Sequence, residues 1–422
     1  MTPAAVNKYQ RRRAVAGPWA LSGNHGRSFD GVVVVPALAE EQSLPETLNS
    51  LGANPARWRE KFLVVVVVNN RCDAPQPWRE QNGRTLTLLE EAGGSGFGLN
   101  LAWVDASSAG LELPGGEGVG LARKIGFDLA LECLDWRGDP LCASLDADTL
   151  TDGNYFEALM AHFRNCTSAG AVVPFRHCRG ATPELDDAIT HYELYLRHYV
   201  LGLELARSPY AYHTIGSALA CRAEAYVAAG GMNRRKAGED FYFLQQLAKI
   251  GGIEQVGGTM VYPAARLSAR TPFGTGPALA RLQDGELEAV RFSTRESFQL
   301  LGAFLRAVER AVEEDVDEIT ARLAPLSPAL ADFLGECGLD GFWSKLYRQH
   351  RRPDARRRAF HQWFDALRTR RMISRICDHH GWWGTAETVI PSLLTHLGLP
   401  SSGNADNYLK VLRKYQKSEA GV

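Results

Sequence analysis

Two stretches near the start of the chain carry no polar residue at all. Val32 to Val35, ended by Pro36, and Leu63 to Val68, ended by Asn69, are β-branched and too short for helices. Uninterrupted runs of this kind predict parallel strands buried on both faces. Between them Leu44, Leu48 and Leu51 form an apolar stripe at helical spacing, with Pro45 in the first turn and Ser43 and Glu46 at the spacing of a capping box. Strand, helix, strand is the βαβ unit of an α/β domain. A second unit follows: Gly118-Val119-Gly120 opens a segment in which Leu121, Ile125 and Leu129 share a helical face, and the run Leu141 to Leu145 then ends in Asp146-Ala147-Asp148. Ligands of open α/β sheets collect beyond the carboxyl ends of the strands, where this acidic pair falls.

The periodicity changes near residue 290. Phe298 to Val312, with Leu301, Phe304, Leu305 and Val308, and Phe360 to Ile376 are spaced as helices, with no strand-like run of comparable length. The pattern divides the chain into an extension over 1–29, an α/β domain over 30–290 and a mainly helical region over 291–422.

Charge adds one detail. The 422 residues carry 47 Lys and Arg against 48 Asp and Glu, a net charge of −1 that gives no global argument for nucleic acid or an acidic surface. Locally, Gly341 to His380 is basic, whereas Asp284 to Glu318 is acidic. One reading pairs these two stretches; the other makes the basic one a landing patch for anionic lipid, with Trp363, Trp382 and Trp383 at the interface. The eight cysteines form no CxxC pair, as expected of reduced thiols in the cytoplasm. Neither a signal peptide nor an apolar run of membrane-spanning length is expected, which leaves peripheral contact at the inner membrane face as the alternative to a free cytoplasmic protein.

Three constellations can carry chemistry. Asp146 and Asp148 at a strand end suit a hard divalent cation bridging a diphosphate, although Asp-x-Asp is also ordinary turn chemistry. Gly238-Glu239-Asp240 precedes Phe241, Phe243, Leu244 and Leu247 at helical spacing; acids favour a helix N-terminus on their own account, and one of them can also serve as a general base. Thr214 to Ala220, with Gly216, and then Gly230-Gly231 allow close backbone approach or tight turns. The polar-aromatic stretch His191 to Tyr199 reads equally as an acceptor-facing or a partly buried helix.

The order of these signals is more specific than any one of them. VVVVPALAEEQSLPETLNSL, VVVVVNNRCDA, GEGVGLARKIGFDLAL, SLDADT and HTIGSALACRAEAYVAAGGMNRRKAGEDFYFLQQL follow one another over about residues 31–275. Together they resemble the family 2 glycosyltransferases. The resemblance implies a GT-A nucleotide-sugar-binding fold with a mostly parallel central sheet, followed here by the helical region. It implies that Pro36, Glu40, Asn69 and Asp73 hold base and ribose, that Arg123 lies by the nucleotide, and that Asp146 meets the ribose. It gives Asp148, with Asp146, to a Mn2+ or Mg2+ ion, makes Asp240 the base and has Glu239 orient the acceptor.

Three positions depart from the family pattern. Val68 or Asn69 stands where the second strand often ends in a base-reading Asp, no histidine follows Asp240 before His350, and the QxxRW signature is missing. Arg266 and Arg270 are then candidates for neutralising the diphosphate. The expected function is metal-dependent, inverting transfer of one sugar from a nucleotide donor to a hydroxyl acceptor. A nucleotidyltransferase and a silent nucleotide-sugar-binding or interaction protein are the rivals. No GxSxG, P-loop or HExxH motif supports hydrolase, NTPase or zincin chemistry.

Overall fold

The computed structural model describes residues 3–26, 28–268, 270, 274–286, 290–314 and 319–417. Thr271 to Phe273, part of the ARLSARTPFGTG stretch, and Asp315 to Glu318 of the acidic stretch lie outside them. The chain has an α/β fold with a mostly parallel central sheet, followed by a mainly helical C-terminal region. It forms two compact units, one of residues 1–189, 214–280 and 417–422, the other of 190–213 and 281–416.

In the first unit the strands are β1 (Ser22–Gly23), β2 (Gly31–Ala37), β3 (Phe62–Asn69), β4 (Asn100–Ala106), β5 (Leu141–Ser144), β6 (Thr149–Thr151), β7 (Gly170–Val172), β8 (Leu219–Arg222), β9 (Ile253–Gln255) and β10 (Val261–Pro263). Eight of them form one sheet in the order β1-β4-β3-β2-β5-β8-β7-β9. From β4 to β5 the pairs are parallel; β8 runs against both β5 and β7. Every residue of β2 and β3 is buried, which is why these strands read as unbroken apolar runs. Pro36 falls beyond Val34, the last β2 residue paired with β5, so the ladder on that side has ended before the ring removes a donor.

The chain leaves β2 towards β3 on one side and reaches β5 on the other, so the sheet reverses direction of winding between β2 and β5. The crevice of such a sheet opens there, beyond the carboxyl ends. The helix Val119–Ala130 lies against β2 and β3, where an added Cβ at Gly126 would stand 2.5 Å from Val34 Cγ1; glycine sets this close approach.

Two sequence expectations fail locally. The helix Leu44–Gly52 forms with Pro45 in its first turn, but its Ser43 cap does not. Ser43 itself has helical φ/ψ of −89° and −35°, which turns its hydroxyl away from the first free N–H groups. The helix expected over Phe360 to Ile376 is two: Pro353–Trp363 and Ala366–His380. Asp365 caps the second by accepting from the Arg368 N–H at 3.1 Å, so a local side-chain bond outweighs the apolar period that continues through it.

In the second unit the helix Arg295–Glu313 carries the expected apolar face, and a core gathers Leu301, Phe304, Phe360, Met372 and Ile376 around it. Arg357 bridges Glu309 at 2.6 Å and Glu313 at 3.4 Å, which joins the basic and acidic stretches. The three tryptophans are engaged within the unit. Trp363 stacks on Phe342, Trp382 stacks on His380, and Trp383 Nε1 donates to Asp378 at 2.8 Å. No helix among the described residues is long and apolar enough to cross a membrane.

Candidate functional site

Beyond the carboxyl ends of β2 and β5 the chain assembles two charge clusters. The first is built on Arg123 of the helix Val119–Ala130. Its Nε donates to Ser144 Oγ at 2.8 Å, and its two terminal nitrogens pair with Asp146, just past β5, and Glu239, the first residue of the helix Glu239–Gly251. The side chains of Arg123 and Glu239 are each 3% exposed, whereas that of Asp146 is 39% exposed. The cluster therefore has a closed inner end and an open outer one. Gly216 completes it, because a Cβ there would run into the Arg123 guanidinium.

Asp240 follows Glu239 and is partly buried. Desolvation, followed by the Glu239 charge, pushes its carboxyl up to about 7 despite the opposing field of Arg123. Desolvation also raises Asp146, with Asp148 and Glu239 adding to it and Arg123 acting against it. The helix starts on Gly238, whose φ of 70° is left-handed and accessible to glycine at no steric cost.

The second cluster joins Asp148 to residues far along the chain. Arg266 Nε donates to Asp148 Oδ2 at 2.7 Å while its Nη2 pairs with Glu40. Arg270 pairs with the same Glu40 oxygen and donates to the Leu38 carbonyl at 2.7 Å. Burial raises the Glu40 carboxyl, with the Asp148 charge adding to it and the two arginines opposing. Next to this loop Ala39 sits at φ 54°, a left-handed conformation uncommon for alanine, with its N–H on Asn82 Oδ1 at 2.8 Å. Asn82 also donates to the Asn69 carbonyl at 3.1 Å and thus ties the loops after β2 and β3 together.

Of the residues singled out by sequence, the structure brings together Arg123, Asp146, Glu239 and Asp240, and separately Glu40, Asp148, Arg266 and Arg270. Asn69 is buried at the end of β3, Asp73 is exposed and paired with Arg71 at 2.7 Å, and Pro36 is inside β2. Ser144 and Asn82 escaped the sequence reading, and Gly216 was singled out there without its place beside the Arg123 guanidinium. A lone polar residue closing an otherwise apolar strand was the available signal for Ser144.

A divalent cation suits part of this donor set. Asp146 and Asp148 offer hard oxygens, and Glu40 Oε2 is a buried acceptor with no hydrogen-bond partner in the second cluster. Among the described residues these acids do not close a group of three ligands. An ion here would draw the rest of its shell from the diphosphate and water, and would compete with Arg266 for Asp148.

No family model matches the chain, and no curated protein matches it. Among solved structures, TarS 1-349 of S. aureus in complex with UDP-GlcNAc is similar at 15% identity and a TM-score of 0.41, over 76% of this chain and 91% of that one. The mannosyltransferase PcManGT of Pyrobaculum calidifontis, in complex with GDP-Man and Mn2+, matches at 15% identity and 0.35, over 85% and 94%. Likeness at this level carries no argument about activity, which rests instead on the residues of this chain.

Proposed function

We propose that the chain is a glycosyltransferase of GT-A type that moves one sugar, with inversion, from a nucleotide-sugar donor to a hydroxyl acceptor. The observation that carries this reading is the buried Arg123. It ties Asp146, one of two acids at a strand end suited to a donor diphosphate, to a helix start bearing a carboxyl whose pKa is near neutrality.

In this reading Asp240 takes the proton of the acceptor hydroxyl as its oxygen bonds to the anomeric carbon; the bond to the diphosphate breaks and its electron pair leaves with the nucleotide. A general base works best with a pKa near the working pH, which the raised Asp240 meets. Glu239 has its carboxylate buried on Arg123, so it holds the guanidinium that orients Asp146, and it acts on the acceptor side through the helix start it shares with Asp240. Arg266 and Arg270 swing their forks from Glu40 and Asp148 to the diphosphate, for which planar guanidinium groups are suited. The loops tied by Asn82 border the nucleotide. A bound Mn2+ or Mg2+ on Asp148 and Asp146 would supply further charge neutralisation for the leaving diphosphate.

The test is release of free nucleotide from a panel of UDP, GDP and CMP sugars, with Mn2+ or with chelator, in the presence of simple hydroxyl acceptors. Release that needs metal and disappears in Asp148→Ala supports the reading. Release of pyrophosphate instead would establish a nucleotidyltransferase, and binding without release under any acceptor would favour a silent binding protein.

A further inference from the structure

Away from the clusters around Asp148 and Arg123, three side chains of different chemistry converge at the far edge of the sheet. His162 belongs to the helix Tyr155–Asn165, Cys166 caps that helix four residues on, and Glu254 is the middle residue of the edge strand β9. Cys166 stands just outside the helix in extended backbone, with φ −133° and ψ 167°. One ligand atom from each of the three lies within 4.8 Å of the others. They line an open groove of about 350 Å³. His162 Nε2 is buried there and has no hydrogen-bond partner.

The backbone beneath the groove is fixed. The Arg222 guanidinium donates to the carbonyls of Phe163 at 2.7 Å, Cys166 at 2.6 Å and Ser168 at 3.0 Å, clamping the segment that carries two of the three groups. A buried imidazole nitrogen left without a partner costs free energy unless something ligates it. Nitrogen, sulfur and oxygen donors together select a borderline-soft ion such as Zn2+, unlike the all-oxygen set at Asp148.

We propose that His162, Cys166 and Glu254 bind a zinc-like divalent cation, with water in the fourth position. As the Sγ–metal bond forms, the thiol proton passes to solvent and the ion takes a thiolate, a neutral imidazole and a carboxylate. Ligands of a tetrahedral zinc stand about 3.5 Å apart, and rotation of the exposed Glu254 side chain closes the remaining distance. The ion clips the helix Tyr155–Asn165 to β9 and protects an otherwise open sheet edge.

Co2+ titrated into the metal-free full chain reads the site directly. The expected result is one equivalent of tetrahedral Co2+ with a thiolate charge-transfer band, displaced by Zn2+, unchanged in Cys72→Ser and in Asp148→Ala. Cys166→Ser abolishes the band, while His162→Ala and Glu254→Gln weaken Co2+ binding about tenfold or more. Absence of the band from the unmodified chain, its survival in Cys166→Ser, or its loss in Cys72→Ser would overturn the proposal. Because the band requires sulfur, Co2+ held only by oxygens at Asp148 does not imitate it.

Discussion

The two units each bury an arginine against a glutamate, and the difference between these clusters separates architecture from chemistry. In the second unit Glu193 accepts from Arg197 at 2.8 Å and from both Nε and Nη2 of Arg413 at 2.7 and 2.9 Å, while Arg197 also donates to Gln416 at 3.2 Å. Both carboxylate oxygens are engaged, and the side chains of Glu193 and Arg197 are essentially inaccessible. This closed network fastens the helix Ala405–Tyr415 to the helix Pro183–Leu205. The Arg123 cluster has the same inner end but an open Asp146, and beside it lies Asp240 with its raised pKa. Buried charge alone does not mark a site; buried charge that fixes an accessible carboxylate at the mouth of an α/β sheet does.

The sharpest way to break the comparison is Asp240→Asn. It should lower transfer by up to about 10⁴-fold, the range of general-base contributions, while donor binding persists. A fall in binding of the same size would make Asp240 a donor ligand. In the closed cluster, Glu193→Ala should cost about 3–5 kcal/mol in chemical denaturation, because it removes the carboxylate that the buried Arg197 and the half-buried Arg413 share. Donor affinity of the folded fraction should not change. Arg266→Ala should weaken nucleoside diphosphate binding about tenfold, the loss of a charge-assisted contact, yet tighten Mn2+ binding without nucleotide, since Asp148 loses its competitor. Calorimetric titration resolves both signs.

The smallest effect concerns pH. Asp240 has a folded pKa of about 7, above its unfolded value, so between the two the folded state holds a proton that the unfolded state has lost. Stability from this group therefore falls as pH rises through that window. Asp240→Asn should raise Tm at pH 8 relative to the parent chain, and the gain should vanish towards pH 4. In the transferase reading, kcat/KM of the parent chain should climb through about pH 7 and level off above it.

Much of this was readable from residue order. Val32 to Val35 and Leu63 to Val68 announced β2 and β3 because strands buried on both faces tolerate no polar residue, and Asp146-Ala147-Asp148 fell where the strand pattern said the crevice opens. What stayed hidden depends on contacts distant in sequence. Arg123 and Glu239 are 116 residues apart, and Glu40 and Arg266 are 226 apart, so no local pattern announces either pair. Gly216 read as a turn residue, because the guanidinium it makes room for comes from another element. Ser43 and the stretch Phe360 to Ile376 went the other way: the local signals for a capping box and a continuous helix were present, but the backbone entering the first helix and the Asp365 cap decided the outcome.

Binding of a nucleoside diphosphate with Mn2+ tests the central claim most directly when the parent chain, Asp148→Ala and Glu193→Gln are titrated side by side. If the two clusters beyond β2 and β5 form the donor site, binding is saturable and metal-dependent in the parent and in Glu193→Gln, and is lost in Asp148→Ala. Binding that survives Asp148→Ala, or none in the parent chain, would contradict it.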